Sequence, residues 1–361
     1  MRATQYCDEI WIFRSALNTM PDLSPMDNEM KKTNRCILFT LLLFLGGSAN
    51  AATDADGLQT CLDMKDKVPP EQALECYNQK AQELLTKKHP RSFRIARDRG
   101  IAEEWAPSDE PVRVYKQNYF LIFSHSSQPN NAPTSPNPEN QVPYTYALDK
   151  NEIKFQISLK AHLLGENKHA LWFGYTQLSL WQAYDRAHSS PFRENDYEPE
   201  LIYSYRPDKL ELAGITASFL NAGLVHQSNG QALPKSRNWN RFYIQAGMES
   251  DFGDNGKLAL QPRWWKRLGG TTADDDNPDI LNYLGHGELE ARYYYRQSVL
   301  SAIARAHSLQ LDWALPAPLM LGVLIQNANF HLQLFNGYGE SLIDYNQRHR
   351  TYGFGISMPF E

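Results

Sequence analysis

The sequence predicts an all-β transmembrane barrel that follows an export signal and a short, partly helical N-terminal segment. Segments of about ten residues alternate apolar and polar side chains, and Gly, Pro, Asn and Asp separate them. Aromatic residues make up 12% of the 361 residues, with 19 Tyr and 8 Trp. The mean hydropathy of −0.55 excludes a bundle of transmembrane helices, and no apolar run reaches the roughly 20 residues that one such helix needs. This combination is typical of a barrel with an apolar outer face.

The N-terminal region carries a three-part secretory signal at residues 30–51. Three basic residues precede the short apolar core at 36–45, and a small-x-small ending follows it. We therefore predict cleavage after Ala51, and we interpret residues 1–29 as an upstream extension from an over-called start codon. The alternative for the apolar core is a buried helix.

The predicted mature chain begins with a polar segment, residues 52–111, before the barrel at residues 112–361. Helix formers with apolar residues at helical spacing occur inside it, so we interpret it as a periplasmic or capping segment. It contains Cys61 and Cys76, the two cysteines that follow the cleavage point. Export to an oxidising compartment favours a disulfide between them, with two free thiols as the alternative.

From residue 112 onward, the alternating segments predict the strands of the barrel. Examples are "NEIKFQISLKAHLL", "ALWFGYTQLSLW", "GITASFLNAGLVHQS", "WNRFYIQAGMES" and "GKLALQPRWW". Polar stretches at 127–143 and 271–279 predict loops. In the last strand, Tyr352, Phe354 and Ile356 share one face. A soluble β-sandwich is the alternative fold, but a sandwich has no reason to expose such aromatic faces.

Three polar residues with chemical potential fall on predicted lipid-facing positions of two consecutive strands. Side chains on a strand alternate between faces, so His226 and Ser228 share the apolar face of the first strand. Asn240 shares the apolar face of the next strand, while its neighbour Arg241 faces the polar lumen. Polar groups on a lipid face are costly, and they tend to mark function.

The spacing of this trio predicts nucleophilic catalysis. Residues two apart on a strand are about 6.6 Å apart at Cα, and a hairpin neighbour lies about 5 Å away. His226 can therefore act as base toward a Ser228 nucleophile, while Asn240 orients the imidazole. An asparagine achieves this without adding a carboxylate beside hydrocarbon. A His-x-Ser pair alone is weak evidence, and the shared parity with Asn240 strengthens it.

Five sequence blocks resemble the outer membrane phospholipase A family. They are "HQSNG" followed by "SRNWNR", "YTQLSLWQ" at 175–182, "SSPFRENDYEPEL" at 189–201, "DDNPDI" at 275–280 and "GYGESLIDYN" at 337–346. The likeness runs from about Tyr115 to Phe360. It implies about twelve antiparallel strands in the Gram-negative outer membrane. It also implies a calcium-dependent hydrolase, active as a homodimer, that cleaves both acyl esters of phospholipids and those of lysophospholipids.

The resemblance also implies roles for individual residues. Ser228, His226 and Asn240 match the nucleophile, the base and the orienting amide. The backbone N–H of Gly230, with a calcium-bound water, matches the oxyanion hole. The implied calcium ligands are the Ser236 hydroxyl, the Gln231 carbonyl and Ser189 of the partner subunit. The family often has arginine at position 231, but a backbone carbonyl ligand tolerates that change.

Two further positions are implied with alternatives. Asp276 matches an acidic residue of a second, monomer-state calcium site, but Leu233 stands where its acidic partner is expected. A solvated acidic loop is therefore the alternative for Asp276. Gln177 matches an amide that hydrogen-bonds across the dimer interface, and a lumen-facing glutamine is the alternative. Because Ser189 would come from the partner subunit, the resemblance predicts that a monomer lacks activity.

The alternative functions are a non-catalytic porin or channel and, less well supported, a secreted β-sandwich binding module. A channel gives no reason for the polar trio to share the lipid-facing parity. The net charge of −5 and the lack of a Lys/Arg stripe argue against a nucleic-acid partner. The predicted partners are a phospholipid substrate, the outer membrane and a second copy of the chain.

Overall fold

The computed structural model describes residues 100–358, apart from 108–109, 111, 146, 209, 271–274, 297 and 317–327. The predicted signal at 30–51, the upstream extension, the Cys61–Cys76 pairing and nearly all of the segment 52–111 lie outside these residues and stay predictions. In the described ranges, no helix is long and apolar enough to cross a membrane.

Within the described residues the chain forms fourteen strands and one short α-helix. The strands are β1 (Val112–Val114), β2 (Tyr119–Ser126), β3 (Asn151–Leu164), β4 (His169–Trp181), β5 (Phe192–Tyr205), β6 (Leu210–Leu212), β7 (Ile215–Ser228), β8 (Asn238–Asp251), β9 (Lys257–Leu268), β10 (Gly287–Tyr295), β11 (Ser298–Arg305), β12 (Ser308–Pro316), β13 (Asn329–Gly337) and β14 (His349–Ser357). The α-helix, α1, is Ile280–Leu284, and 3-10 turns occur at Glu103–Trp105, Pro138–Asn140 and Gly253–Asn255.

The strands close into a ring. Every pairing is antiparallel, and the order runs from β3 through β2, β14 and back along the chain to β4, which pairs with β3. The short strand β1 pairs with β3 beside β2, and β6 pairs with β7 beside β5. Because β1 and β6 each pair with one strand and continue the place of β2 and β5 in the ring, they are not counted separately. The ring is therefore a twelve-stranded antiparallel barrel. The predicted fold class is confirmed.

Side chains alternate between an apolar outer face and a polar lumen. On β7, Leu224 is 51% exposed whereas the adjacent Val225 is 5% exposed. On β8, Phe242 and Ile244 are exposed whereas Tyr243 between them is buried. Ile157, Leu159, Phe173, Leu201, Leu220, Leu300, Trp313 and Leu334 are other exposed apolar residues of the strands. This outward band matches the hydrocarbon layer of a membrane.

Hydrogen-bonded ion pairs cross the lumen. Lys154 Nζ lies 2.9 Å from Glu340 Oε1, and Arg241 Nη2 lies 2.7 Å from Glu198 Oε2. Each of these side chains is nearly or fully buried. A buried charge is tolerated when it is paired and hydrogen-bonded. The interior is therefore packed with polar side chains that hold one another in place.

The described N-terminal residues fill one end of the lumen. Trp105 is 2% exposed, and its ring packs against Trp172 at 6.3 Å and Phe219 at 5.4 Å between centroids. Lys160 Nζ lies 3.7 Å from the centre of the Trp105 ring, a cation–π contact. The Ile101 amide donates to Glu249 Oε2 at 3.1 Å. We call residues 100–106 the lumen plug.

The two ends of the barrel differ in their connections. At one end, which we call the loop end, lie the described residues of the connections 127–150, 182–191, 229–237, 269–286 and 338–348. The opposite end, the turn end, carries short turns such as 165–168 and 252–256, and the lumen plug lies there. Outer-membrane barrels place short turns toward the periplasm and long loops outside the cell. All the candidate residues at 189, 228–240 and 276 lie at the loop end.

Candidate active site

The β7–β8 hairpin brings the polar trio together at the loop end. In the strand register, His226 is opposite Asn240 and Ser228 is opposite Asn238. His226 and Asn240 are exposed on the outer face, and Ser228 is half-buried two positions further along β7. The parity that places them outward is set by the pleat, because their immediate neighbours Val225 and Arg241 are buried in the lumen.

His226 and Asn240 form a hydrogen bond across the two strands. The distance between His226 Nδ1 and Asn240 Oδ1 is 2.8 Å. An amide oxygen only accepts, so the imidazole proton in this contact resides on Nδ1. Nε2 is then the unprotonated nitrogen, which is the atom that a general base needs.

Ser228 lies on the same outward face as this pair. Among the hydrogen bonds of the described residues, none joins Ser228 to His226. Positions two apart on one strand face are separated by about 6.6 Å at Cα, a distance that the two side chains together can bridge. In apo proteins the contact between a nucleophile and its base is often long, and it tightens when substrate binds.

The loop that follows Ser228 contains a left-handed glycine. Gly230 has φ of +62°, and a Cβ at this position would lie 3.2 Å from the Tyr197 ring. Glycine adopts this conformation without steric cost. Asn229 cross-links the same loop: its Oδ1 accepts from the Arg237 amide at 2.9 Å, and its Nδ2 donates to the Lys235 carbonyl at 2.9 Å. The Gly230 amide therefore sits in a constrained turn directly after Ser228.

The residues implied as calcium ligands supply oxygen donors of the kind that calcium prefers. Ser236 Oγ donates to Asp276 Oδ2 at 2.7 Å, so a hydroxyl and a carboxylate meet at the loop end. Gln231, whose carbonyl is the third oxygen, lies in the same loop as Ser236. Ser189 is exposed in the β4–β5 connection with φ of +62°. Within the described chain, no hydrogen bond joins Ser189 to the other three residues. The donor set fits calcium in its chemistry.

Asp276 is held by neutral donors. Asn140 Nδ2 donates to Asp276 Oδ1 at 3.0 Å, and Asn238 Nδ2 donates to Oδ2 beside the Ser236 hydroxyl. Asp276 is 8% exposed, whereas Leu233 is 53% exposed. Asp276 is therefore a buried anchor for three connections, and the solvated acidic loop offered as its alternative is wrong. A groove of about 150 Å³ opens between Asn240 and Asp276.

Gln177 faces outward on β4 and belongs to a polar chain on the outward faces of β4 and β5, in which Ser179 is covered by its neighbours. Tyr175 Oη donates to Gln177 Oε1 at 3.2 Å, and Gln177 Nε2 donates to Ser179 Oγ at 3.1 Å. Ser179 Oγ then donates to Asn195 Oδ1 at 2.7 Å. The lumen-facing alternative for Gln177 is therefore wrong. We call Tyr175, Gln177, Ser179 and Asn195 the polar stripe.

Sequence reasoning missed several residues of this region. Ser179 and Asn195 were detectable, because each shares the outward parity of its strand. Asn229 was detectable as a residue of a loop between paired strands, since asparagine side chains commonly bind turn backbone. Asn140 lies 96 residues from its partner Ser236, whose carbonyl it contacts, and no local pattern indicates such a contact.

A twelve-stranded barrel with an apolar exterior, and with a His–Asn pair beside a serine on that exterior, defines a class of protein. It is a membrane barrel with a hydrogen-bonded His–Asn pair and a serine on one lipid-facing patch. Comparison with known proteins agrees. The phospholipase A1 family profile matches residues 102–358.

Individual relatives cover most of the barrel. A relative from Neisseria meningitidis serogroup B is 38% identical over 263 residues, which is 69% of this chain and 65% of the relative, just under two thirds. The phospholipase A1 of Escherichia coli K12 is 35% identical over 269 residues, which is 72% of this chain and 86% of that protein.

Two solved structures share the architecture. Outer membrane phospholipase A from Escherichia coli has a TM-score of 0.59 and 32% identity, covering 68% of this chain and 98% of that one. The Salmonella typhi outer membrane phospholipase dimer with bound calcium has a TM-score of 0.59 and 30% identity, covering 70% and 93%. The chain belongs to the phospholipase A1 family of ester hydrolases, and it is an outer-membrane β-barrel.

Proposed function

We propose that this outer-membrane phospholipase hydrolyses both acyl esters of phospholipids and those of lysophospholipids in a calcium-dependent reaction on the outside of its barrel. The observation that carries the proposal is the hydrogen bond of 2.8 Å between His226 and Asn240 on the lipid-facing surface. A polar pair on a lipid-facing surface is energetically costly, so its presence there favours a functional role. Substrate acyl chains would lie along the apolar strand faces.

The proposed reaction proceeds in two steps. Ser228 Oγ attacks the ester carbonyl carbon and transfers its proton to His226 Nε2. The bond from that carbon to the glycerol oxygen then breaks, and the imidazolium returns the proton to the leaving oxygen. In the second step, water attacks the acyl-serine while His226 takes its proton. The fatty acid leaves and the proton returns to Ser228. Asn240 holds the imidazole in the tautomer that both steps require.

The oxyanion of both steps needs preorganised donors. The backbone N–H of Gly230 is the proposed donor from this chain, because it follows Ser228 by two residues and is constrained by its turn. Ser236, Gln231 and Ser189 of the partner subunit would hold calcium, which would supply positive charge to stabilise the oxyanion. Asp276 orients the Ser236 hydroxyl, which donates to its Oδ2 at 2.7 Å.

We extend the proposal to a reversible homodimer that forms through the polar stripe. Hydrogen-bonding groups at membrane depth gain stability when another protein surface satisfies them. The Salmonella typhi relative is a dimer with bound calcium. If Ser189 comes from the partner subunit, association and activity are coupled, because each monomer lacks one calcium ligand.

The alternative of a channel is less well supported. The lumen contains buried ion pairs and the turn end holds Trp105, which is 2% exposed. A water-filled pore needs an open interior, and this one is crossed by side chains that bond to each other. A channel also leaves the outward His226–Asn240 pair without a purpose.

A sulfonyl fluoride experiment tests the proposal. Purified protein in detergent micelles is treated with a long-chain sulfonyl fluoride, with calcium or with chelator. We expect calcium-dependent labelling of Ser228 and loss of phospholipid hydrolysis, while Ser228→Ala is neither labelled nor active. Ser218→Ala serves as the matched control, because Ser218 is a buried serine on the same strand. Hydrolysis by Ser228→Ala, or ion conductance in planar bilayers without labelling, would contradict the proposal.

A further inference from the structure

We propose that Glu194 is a positioning residue that holds the oxyanion-hole loop from inside the lumen. The inference rests on the proposed function, since it concerns the donor at Gly230. Glu194 is on β5, faces the lumen and is 1% exposed. Ser228, by contrast, lies on the outward face. The proposal therefore assigns to the lumen a part in chemistry that occurs on the other side of the barrel wall.

The Glu194 carboxylate binds the two residues that flank Gly230. Asn229 Nδ2 donates to Glu194 Oε1 at 3.1 Å, and Gln231 Nε2 donates to Glu194 Oε2. The Ile343 amide also donates to Oε1, at 3.0 Å, which ties the carboxylate to the β13–β14 loop. One buried group therefore fixes the residue before Gly230 and the residue after it.

These contacts determine where the Gly230 N–H points. The N–H of Gly230 lies in the peptide plane shared with Asn229, and that plane is rigid. Gly230 has φ of +62° and no side chain, so its own conformation is unusually free. A loop with such a residue needs its flanks fixed if the amide is to keep one direction. The side chains of Asn229 and Gln231, both anchored to Glu194, provide that restraint.

The chemistry of the anchor requires a carboxyl group with two oxygens. Glu194 accepts from three donors, and each of its two oxygens has lone pairs for them. A glutamine there has one oxygen and one NH₂ group, so at least one of the three donors would face another donor. Glu194 also differs from Glu198 and Glu200 on the same strand face, which form ion pairs with Lys116. In the described part of the chain, no salt bridge involves Glu194; besides the three loop donors, its carboxyl group contacts the Asp196 carboxyl group on the same strand face.

The role predicts an effect on catalysis rather than on substrate binding. The oxyanion exists only in the transition state and intermediates, so a misaligned donor lowers kcat and leaves KM nearly unchanged. Removing one oxyanion donor costs roughly 100- to 1,000-fold in kcat, and tilting it costs less.

The test compares Glu194→Gln with Glu200→Gln as the matched control. Glu200 is also 1% exposed on the lumen face of β5, but it contacts Tyr115 and Lys116 and not the loop. For Glu194→Gln we expect a loss of roughly 10- to 100-fold in kcat and in the rate of sulfonylation, with KM within about twofold. For Glu200→Gln we expect kcat within about twofold. Thermal unfolding in detergent reports any structural cost of either variant.

Two more variants keep the inference testable if Glu194→Gln does not fold. Gln231→Met removes one donor to Glu194 but keeps the backbone carbonyl, and we expect a kcat several-fold lower than that of the unmodified protein. The double variant Glu194→Gln with Gln231→Glu exchanges donor and acceptor at the Oε2 contact and leaves Oε1 for Asn229 and Ile343, so we expect it to recover part of the kcat lost in Glu194→Gln.

The outcomes separate this inference from the proposed function. Equal kcat losses in Glu194→Gln and Glu200→Gln, a change confined to KM, or an unaffected Gln231→Met would overturn the positioning role while Ser228 remained the nucleophile. If Ser228→Ala still hydrolyses phospholipid, the proposed function is wrong. The positioning role of Glu194 is then overturned with it, because that role concerns the oxyanion formed by attack of Ser228.

Discussion

At the scale of single residues, the site depends on which side of a strand each side chain occupies. His226, Asn240 and Ser228 lie outward because the pleat alternates, and their neighbours Val225 and Arg241 are buried in the lumen. The bond from His226 Nδ1 to Asn240 also selects the tautomer. Both residues are exposed, so substitution there changes chemistry with little effect on packing.

Replacement of Asn240 tests the orienting role. Asn240→Ala removes the acceptor for His226 Nδ1, and we expect kcat to fall roughly 10- to 100-fold because the wrong tautomer becomes populated. Asn240→Asp keeps an acceptor oxygen and should retain more activity than the alanine variant. Steady-state kinetics on mixed micelles measure both. Equal activity of the two variants would refute a tautomer-selecting role.

The face of the strand on which each side chain lies could be predicted from the sequence, because side chains alternate between the two faces along a strand. The outward positions of His226, Ser228, Asn240 and Gln177 follow from such counting. The Glu194 contact could not be predicted, because it depends on the pairing of β5 with β7 and joins residues 35 positions apart. Contacts across a barrel lumen leave no pattern along the chain.

At the scale of elements, the loops at the loop end are fixed by buried polar side chains. Asn229, Glu194 and Asp276 each bind more than one segment. Loops usually carry function because a rigid scaffold presents them. Here hydrogen bonds from these buried side chains hold the loops in place. The strands were predictable from alternation, and the loops could be located but not shaped from the sequence.

Gly230→Ala tests whether the conformation of the β7–β8 loop matters for catalysis. An alanine at φ of +62° costs about 1–2 kcal/mol and would meet the Tyr197 ring, so we expect kcat to fall at least tenfold. The matched control is Gly214→Ala in the turn between β6 and β7. Gly214 has φ of +77° and open space for a Cβ, so the backbone cost is similar but the site is distant. An equal kcat for the two variants would contradict the prediction.

The β13–β14 loop should show a defined response to acid. Burial alone would raise the pKa of Glu340, but Lys154 and His349 beside it hold that pKa below its ordinary value. A carboxyl group with a lowered folded pKa stabilises the fold above its unfolded pKa of about 4.3, and this contribution is lost as pH falls through the folded value. We therefore expect the contribution of Glu340 to the thermal midpoint to be lost below about pH 4. In Glu340→Gln the acid-induced fall should be smaller.

At the scale of the whole molecule, the lumen is a packed interior and the exterior carries the proposed active site. Twelve strands close the ring, ion pairs cross it, and residues 100–106 fill its turn end. Closure was predictable from an exported chain with alternating strands. The lumen plug could not be predicted, because the sequence of segment 52–111 shows only helical spacing and polarity, and neither indicates insertion into a barrel. Its last residues enter the barrel through contacts of Trp105 that are distant in sequence.

Trp105→Ala tests the lumen plug. Removing a buried tryptophan creates a cavity, and we expect a loss of about 3–5 kcal/mol in the free energy of unfolding. The kcat should stay within about twofold, because the loop end lies at the other side of the barrel. Glu103→Ala is the control, since Glu103 is exposed in the same 3-10 turn. Equal stability of the two variants, measured by urea unfolding in detergent, would refute the structural role of the plug.

The outward position of Ser228 has a consequence for how such an enzyme is supplied. With Ser228 as the proposed nucleophile, the substrate would approach sideways within the leaflet and would cross no aqueous opening. The encounter rate therefore depends on how many lipid molecules share each unit of membrane area, and bulk dilution leaves it unchanged. In a leaflet poor in phospholipid the encounter rate is low. When phospholipid enters that leaflet, the rate rises as fast as lateral diffusion delivers it.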